Sequence, residues 1–200
     1  MAAETRTPWA MGEEAAYPRG LTERCELLER LSGDSRGETL LVRERESGRL
    51  LIAKCRNKEG APPEDGEADI LGRLRGPGVP ALVDVCENET TRCLLREYIP
   101  GETLDKAARS GMTEEQARQI GLGLCRVLRY LHSQDPPVIH RDIKPQNVVL
   151  TEDGQVYLID FDISRRYSRD APADTVISGT QDFAAPEQYG FSPTAANIAE

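Results

Sequence analysis

The 200-residue sequence is poor in aromatic side chains, at 5 % of positions, and has only two histidines, His132 and His140. Its five cysteines, Cys25, Cys55, Cys86, Cys93 and Cys125, include no Cys-x-x-Cys pair. So few imidazoles and unpaired thiols argue against a zinc site. The odd cysteine count and the lack of a secretory leader pattern point to reduced thiols in a cytoplasmic protein. No apolar run approaches the roughly 20 residues of a membrane-spanning helix. Positive charge is also in deficit: 25 Lys and Arg face 34 Asp and Glu, for a net charge of −9. Such a field disfavours nucleic acid or an anionic membrane as the main partner. It leaves room for a nucleotide, which needs only a local positive site.

Residues 1–20 are rich in Ala, Glu, Pro and Gly without a usable period, which predicts a mobile tail in which Trp9 and Tyr17 are the residues able to dock. From Leu21 the pattern changes. Strands are expected at 25–31, 39–42 and 50–55, with Ser47-Gly48 as a turn. Lys54 lies inside the apolar third strand, where a charge is costly unless paired. Glu67 is the expected partner, on a helix of about three turns carrying Ile70, Leu71 and Leu74 at helical spacing, with Pro63 suited to its start. Glu64 is the rival partner. The cluster Gly76-Pro77-Gly78-Val79-Pro80 is a turn, and strands at 81–86 and 92–98 follow. Thr113-Glu114-Glu115-Gln116 is a capping box that opens a helix. Ile120, Leu124, Val127, Leu128 and Leu131 share one face of it, as in a core helix; His132 falls in its last turn and Pro136-Pro137 stops it.

The chemistry concentrates after residue 138. Two short strands, 148–150 and 156–159, flank Thr151-Glu152-Asp153-Gly154-Gln155, whose Asp-Gly marks a hairpin turn. The hairpin folds Asp142 and Asn147 back beside Asp160. Two carboxylates and an amide in one place are hard oxygen ligands suited to Mg²⁺ carrying substrate phosphates.

In order, the chain reads His140-Arg141-Asp142, Lys144, Asn147, Asp160-Phe161, Gly179-Thr180 and Ala185-Pro186-Glu187. This set resembles the eukaryotic-like serine/threonine protein kinases, in particular their bacterial branch. The resemblance implies an α+β, two-lobed protein-kinase-like fold. It would have a small antiparallel-sheet N-lobe with one helix (21–97) and a hinge with a mostly helical C-lobe (98–200), incomplete at its end. The catalytic loop would be 138–150 and the activation segment 160–187. The implied cofactors are ATP and Mg²⁺, and the implied partners are nucleotide and protein substrates phosphorylated on Ser or Thr.

By the same resemblance, Asp142 orients the substrate hydroxyl and accepts its proton, Lys144 stabilises the transferring phosphoryl, and Asn147 and Asp160 hold the metal. Lys54, paired with Glu67, contacts the phosphates. Gly33, Gly37, Thr39, Ile52 and Val149 line the ATP site, and Glu97 and Ile99 offer main-chain groups to the adenine. Arg96 stands at the back of the adenine pocket. His140 supports the loop, and Phe161 packs beneath the helix bearing Glu67. In the activation segment Ser164, Ser168, Thr175 and Ser178 supply hydroxyls, with Thr175 or Ser178 as the main phosphorylation site engaging Arg141. Thr180 bonds the catalytic Asp and Lys, and Glu187 closes the segment.

Three departures from the family pattern stand out. Ser32 and Asp34 replace the first two glycines of the phosphate-covering loop 32–39, where only Gly37 matches. Asp162 replaces a glycine. The last residues depart from the family's pattern, as expected of a truncated or frameshifted product. A nucleotide- or partner-binding module of kinase fold without turnover is therefore the alternative reading. A small-molecule kinase of related fold is a third, against which Lys144-Pro145 and the Gly-Thr to Ala-Pro-Glu segment argue.

Overall fold

A computed structural model describes residues 16–58, 66–167, 180, 182–185 and 188. Residues up to Ala68, together with Ala81–Tyr98, form one compact unit; Asp69–Pro80 and the residues from Ile99 onward form another. Trp9, Pro63 and Glu64 lie outside the described residues.

In the first unit a short helix, α1 (Arg19–Thr22), leads into strands β1 (Cys25–Asp34), β2 (Gly37–Glu44) and β3 (Leu50–Asn57). After helix α2 (Gly66–Arg73), strands β4 (Leu82–Glu87) and β5 (Thr91–Glu97) complete the sheet. Its order is β1-β2-β3-β5-β4, and every neighbouring pair is antiparallel. Side chains alternate across a strand, so Cys25 and Leu27 on β1 share one core with Leu40 and Val42 on β2. Central β3 is buried at five successive positions, Leu51 to Cys55.

Two expectations fail in this unit. Tyr17 is not part of a loose tail: it is buried in the sheet's core beside Leu21. Its hydroxyl accepts from Arg30 Nη1 at 2.8 Å and donates to Glu38. Burial, and then the Glu38 carboxylate, push the phenol up to about 12. Nor are the cysteines all reduced. Cys55 and Cys93 face each other across β3 and β5 with Cα atoms 4.0 Å apart and are joined by a disulfide. Cys25, Cys86 and Cys125 take no part in that bridge. The bridge spans 38 residues of sequence, so no local spacing announced it.

The second unit holds β6 (Glu102–Thr103), α3 (Leu104–Arg109), α4 (Glu114–His132) and β7 (Val138–Ile139). A 3-10 turn at Pro145–Asn147 then leads to β8 (Val148–Leu150), β9 (Val156–Leu158) and β10 (Arg165–Arg166). The capping box forms as expected. Gln116 N–H donates to Thr113 Oγ1 at 3.2 Å, and Thr113 N–H donates back to Gln116 Oε1 at 2.9 Å. Val127 and Leu131 are the buried residues of α4, and the helix packs on β9. Helix α3 was not foreseen; six residues are too few for a readable period.

The turn 76–80 belongs to this second unit, although the sequence reading gave it to the N-lobe. Gly78 has φ +76°, and a Cβ there would lie 2.3 Å from Val127 Cγ2. Its carbonyl accepts from Leu158 N–H at 2.8 Å. The turn is thus fastened to α4 and β9. Tyr130 extends the fastening: its hydroxyl accepts from Arg75 N–H at 2.7 Å, and its ring lies over Gly76.

Candidate active site

The β8–β9 hairpin forms as the sequence suggested. Its register pairs Val148 with Leu158, which sets Asn147 opposite Ile159. Ile159 N–H donates to Asn147 O at 2.8 Å, and Asp160 follows at the same open end.

Ahead of the hairpin, Asp142 is the centre of a hydrogen-bonded cluster. Lys144 Nζ lies 2.8 Å from Asp142 Oδ2, and Thr180 Oγ1 donates to Oδ1 at 2.7 Å. Lys144 Nζ also donates to Thr180 Oγ1 at 2.8 Å, closing a triangle. Asn147 Nδ2 reaches both the carbonyl and Oδ2 of Asp142, each at 2.8 Å. Burial pushes the Asp142 carboxyl up, but the bonds from Lys144 and Thr180, the Lys144 charge and the Asn147 amide outweigh it. The group stays ionised below the usual carboxylate range.

The same bonds orient Asn147. With Nδ2 committed to Asp142, Oδ1 is the atom it offers a cation. Together with the Asp160 carboxylate this is a hard oxygen set that fits Mg²⁺.

His140 is almost wholly buried and holds the loop from beneath. Asp142 N–H donates to His140 Nδ1 at 3.3 Å, so the ring proton sits on Nε2, which donates to Ile159 O at 3.2 Å. Phe161, fully buried, meets the imidazole edge-on at 4.7 Å between ring centroids. Ser164 donates to His140 O at 3.0 Å and is buried. Of the activation-segment hydroxyls, this one is a brace for the loop and is not presented for phosphorylation. Arg141 and Asp160 both take left-handed backbone, at φ +68° and +70°. Asp tolerates that region, whereas for Arg it is a strained position. Asp162, where a glycine was expected, keeps negative φ and is exposed.

In the first unit, Lys54 Nζ donates to Glu67 Oε2 at 2.9 Å, and both residues are buried. Thr39 pairs with Lys54 across β2 and β3, and Ile52 pairs with Arg96 across β3 and β5. Arg96, itself buried, donates to Glu97 O at 3.3 Å. The Glu97 N–H is taken by Ala81 O at 2.9 Å. In the second unit Ile99 is buried, and Val149 is buried on β8.

The stretch read as the phosphate-covering loop is the turn of the β1–β2 hairpin. Asp34 pairs with Gly37, leaving Ser35-Arg36 as a two-residue turn, and Gly33 is exposed opposite Glu38. Asp34 accepts from Arg36 N–H at 2.8 Å and from its guanidinium at 3.1 Å. Those bonds, the backbone one foremost, draw the Asp34 carboxyl down. Gly37 is required by the sheet itself, since a Cβ there would sit 2.2 Å from Cys55 O.

A protein-family comparison matches residues 28–197 to the protein kinase domain. The chain belongs to the protein kinase domain family. Human RAC-beta serine/threonine-protein kinase is 32 % identical over 159 residues, covering 76 % of this chain and 33 % of the relative. A serine/threonine-protein kinase of Schizosaccharomyces pombe is 39 % identical over 128 residues, covering 62 % of this chain and 30 % of the relative. A leucine-rich repeat receptor-like protein kinase of Arabidopsis thaliana is 31 % identical over 134 residues, covering 63 % and 13 %. The chain spans a third or less of the length of these relatives.

Membership in the kinase family implies, in general terms, the use of ATP and a divalent metal. Among the described residues of this kinase domain, no helix is long and apolar enough to cross a membrane. Thr175, Ser178 and Glu187 lie outside the described residues. Gln188 is the site residue that sequence reasoning missed. It follows Ala-Pro-Glu, and its side chain reaches back 47 residues to donate to Arg141 O at 2.8 Å. Nothing in its local pattern signals that contact.

Proposed function

We propose that this kinase domain transfers the γ-phosphoryl group of ATP to Ser or Thr hydroxyls of proteins, with Mg²⁺ as cofactor. The observation that carries the reading is the Asp142 carboxylate held by Thr180 and Lys144. Phosphoryl transfer asks for positioning and charge neutralisation more than covalent chemistry. Asp142 aims the substrate hydroxyl at the γ-phosphorus. The oxygen–phosphorus bond forms as the bond to ADP breaks, and the hydroxyl proton passes to the carboxylate. Lys144 is placed to stabilise the transferring group's charge. Asn147 Oδ1 and the Asp160 carboxylate would hold the Mg²⁺, which supplies charge neutralisation at the phosphates. Lys54, kept in place by Glu67, contacts the phosphates. Thr180, bonded to both Asp142 and Lys144, favours Ser and Thr over Tyr as acceptors.

We place the chain in the bacterial branch on its Glu187-Gln188-Tyr189-Gly190 pattern. Thr175 or Ser178 would carry an activating phosphate that engages Arg141. Mass spectrometry after incubation with Mg-ATP tests that site; phosphate confined to other segments contradicts it.

A nucleotide-binding module without turnover is the second reading. It is favoured by the tight hairpin at Ser32–Gly37, where the one family glycine is claimed by packing against Cys55. Incubating the chain with labelled Mg-ATP and a generic protein substrate, followed by phosphoamino-acid analysis, separates the two. Phosphoserine or phosphothreonine supports the kinase. Saturable nucleotide binding with no phosphoamino acid supports the module.

A further inference from the structure

Asp142 is gripped through its side chain by three partners, but its backbone also has to be aimed. The peptide unit between Arg141 and Asp142 is held at both ends. Its N–H donates to His140 Nδ1 at 3.3 Å, and its carbonyl accepts from Gln188 Nε2 at 2.8 Å. That unit follows Arg141, which stands at φ +68°, a conformation an arginine does not hold without support.

The Gln188 side chain is not free to swing. Its Oε1 accepts from Ala185 N–H at 3.1 Å, and its own N–H donates to Ala185 O at 2.9 Å. With Oε1 engaged by a donor, the amide's other end must present N–H groups, which is what the Arg141 carbonyl requires.

We propose that Gln188 is a positioning residue for Asp142. It fixes the Arg141–Asp142 peptide plane from the end of the activation segment. The inference rests on the kinase reading of Asp142. Gln188 acts on Asp142 through the backbone of Arg141. It ties the orientation of the catalytic loop to the seating of the segment that carries Ala185. When that segment is displaced, the peptide loses its carbonyl anchor and Asp142 its aim.

The test uses two near-isosteric variants of the full chain. Gln188→Met loses both bonds. Gln188→Glu keeps the acceptor for Ala185 N–H but sets a carboxylate oxygen against the Arg141 carbonyl. Both should lower kcat about tenfold, the rate equivalent of one lost hydrogen bond, and leave KM for ATP unchanged. Acidification from pH 8 to pH 5 raises the protonated fraction of the glutamic acid, whose ordinary pKa is about 4.3, and restores a donor in that fraction. The Gln188→Glu rate, divided by the wild-type rate, should therefore rise as pH falls, while the Gln188→Met ratio stays flat. Dividing by wild type removes the pH dependence that the two proteins share. Wild-type kcat in both variants, or a Gln188→Glu ratio that ignores pH, overturns the proposal.

Hydrogen exchange gives a reading independent of turnover. Amides of residues 139–147 should exchange faster in Gln188→Met than in wild type, and unchanged exchange refutes the proposal. Should wild type show no transfer, the kinase reading fails, and the exchange measurement still decides the role of Gln188.

Discussion

Thr180 donates its hydroxyl to Asp142 at 2.7 Å across 38 residues of sequence, and accepts from Lys144 at 2.8 Å. One small side chain thus connects Asp142 and Lys144 to a residue nearly 40 positions further along the chain. Replacing it with the isosteric valine removes both bonds and leaves the shape. Thr180→Val should lower kcat by about 10- to 100-fold, the scale of one or two lost charge-assisted bonds, whereas Thr180→Ser should stay within a few-fold of wild type. Steady-state kinetics of the two variants decides this; equal rates for Val and Thr would remove Thr180 from the mechanism.

The same bond sets a pH dependence. The Asp142 carboxyl is held below its ordinary value, so its contribution to stability is fully present above the unfolded value of about 3.9. That contribution is lost as pH falls through the lower folded value. Thr180→Val withdraws one of the bonds that lower it, so the variant has less of this contribution to lose on acidification. Urea midpoints of wild type and variant, measured from pH 7 down to pH 3, should lie furthest apart near neutrality and converge toward acid. Parallel curves would show that Thr180 does not tune this carboxyl.

Lys54 and Glu67 are a buried ion pair at 2.9 Å. Removing one partner strands a charge, which typically costs about 3–5 kcal/mol, while removing both in favour of apolar residues is far cheaper. Glu67→Ala should therefore be more destabilising than the double variant Lys54→Met/Glu67→Leu. Denaturant unfolding of the three proteins checks the order. On the proposed role of Lys54 at the phosphates, transfer should be lost in both variants.

The Cys55–Cys93 bridge closes 38 residues of chain between two neighbouring strands. The chain-entropy model puts such a loop at about 4 kcal/mol, near the top of the usual range. Thiol titration of the unfolded protein should give three free cysteines before reduction and five after it, and reduction should lower the unfolding midpoint. Five titratable thiols in unreduced protein would rule the bridge out.

Glycines separate backbone strain from crowding. Gly48 and Gly78 both have positive φ, +72° and +76°, but only Gly78 is crowded, by Val127 and the Val156 carbonyl. Gly48→Ala should cost about 1 kcal/mol, from conformation alone. Gly78→Ala should cost about 2–4 kcal/mol, since overpacking adds to strain. Thermal melts compare the two directly.

The parts legible in the sequence were those governed by local rules. The capping box at Thr113 and the hairpin around Asp153-Gly154 each follow from residues a few positions apart. The Lys54–Glu67 pair came from the family resemblance, with Glu64 as its rival, and Lys54 does donate to Glu67. The illegible parts depend on long-range approach. The register that sets Cys55 opposite Cys93 cannot be read from spacing. Neither can the burial of Tyr17 between Arg30 and Glu38, or the return of Gln188 to Arg141. At loop 32–39 the family pattern suggested a phosphate cover but not the bonds that shape it. There, the Asp34–Arg36 bonds and the approach of Gly37 to Cys55 prevail and make a tight turn.

The central claim is that Asp142 works as the base of a phosphoryl transfer. It is tested most directly by measuring phosphate transfer from Mg-ATP to a protein substrate in wild type and in Asp142→Ala, with nucleotide affinity measured alongside. The account predicts transfer by wild type, a fall of about a thousandfold or more in Asp142→Ala, and nucleotide binding that is little changed. Nucleotide binding by both proteins with no Asp142-dependent transfer by either would contradict it.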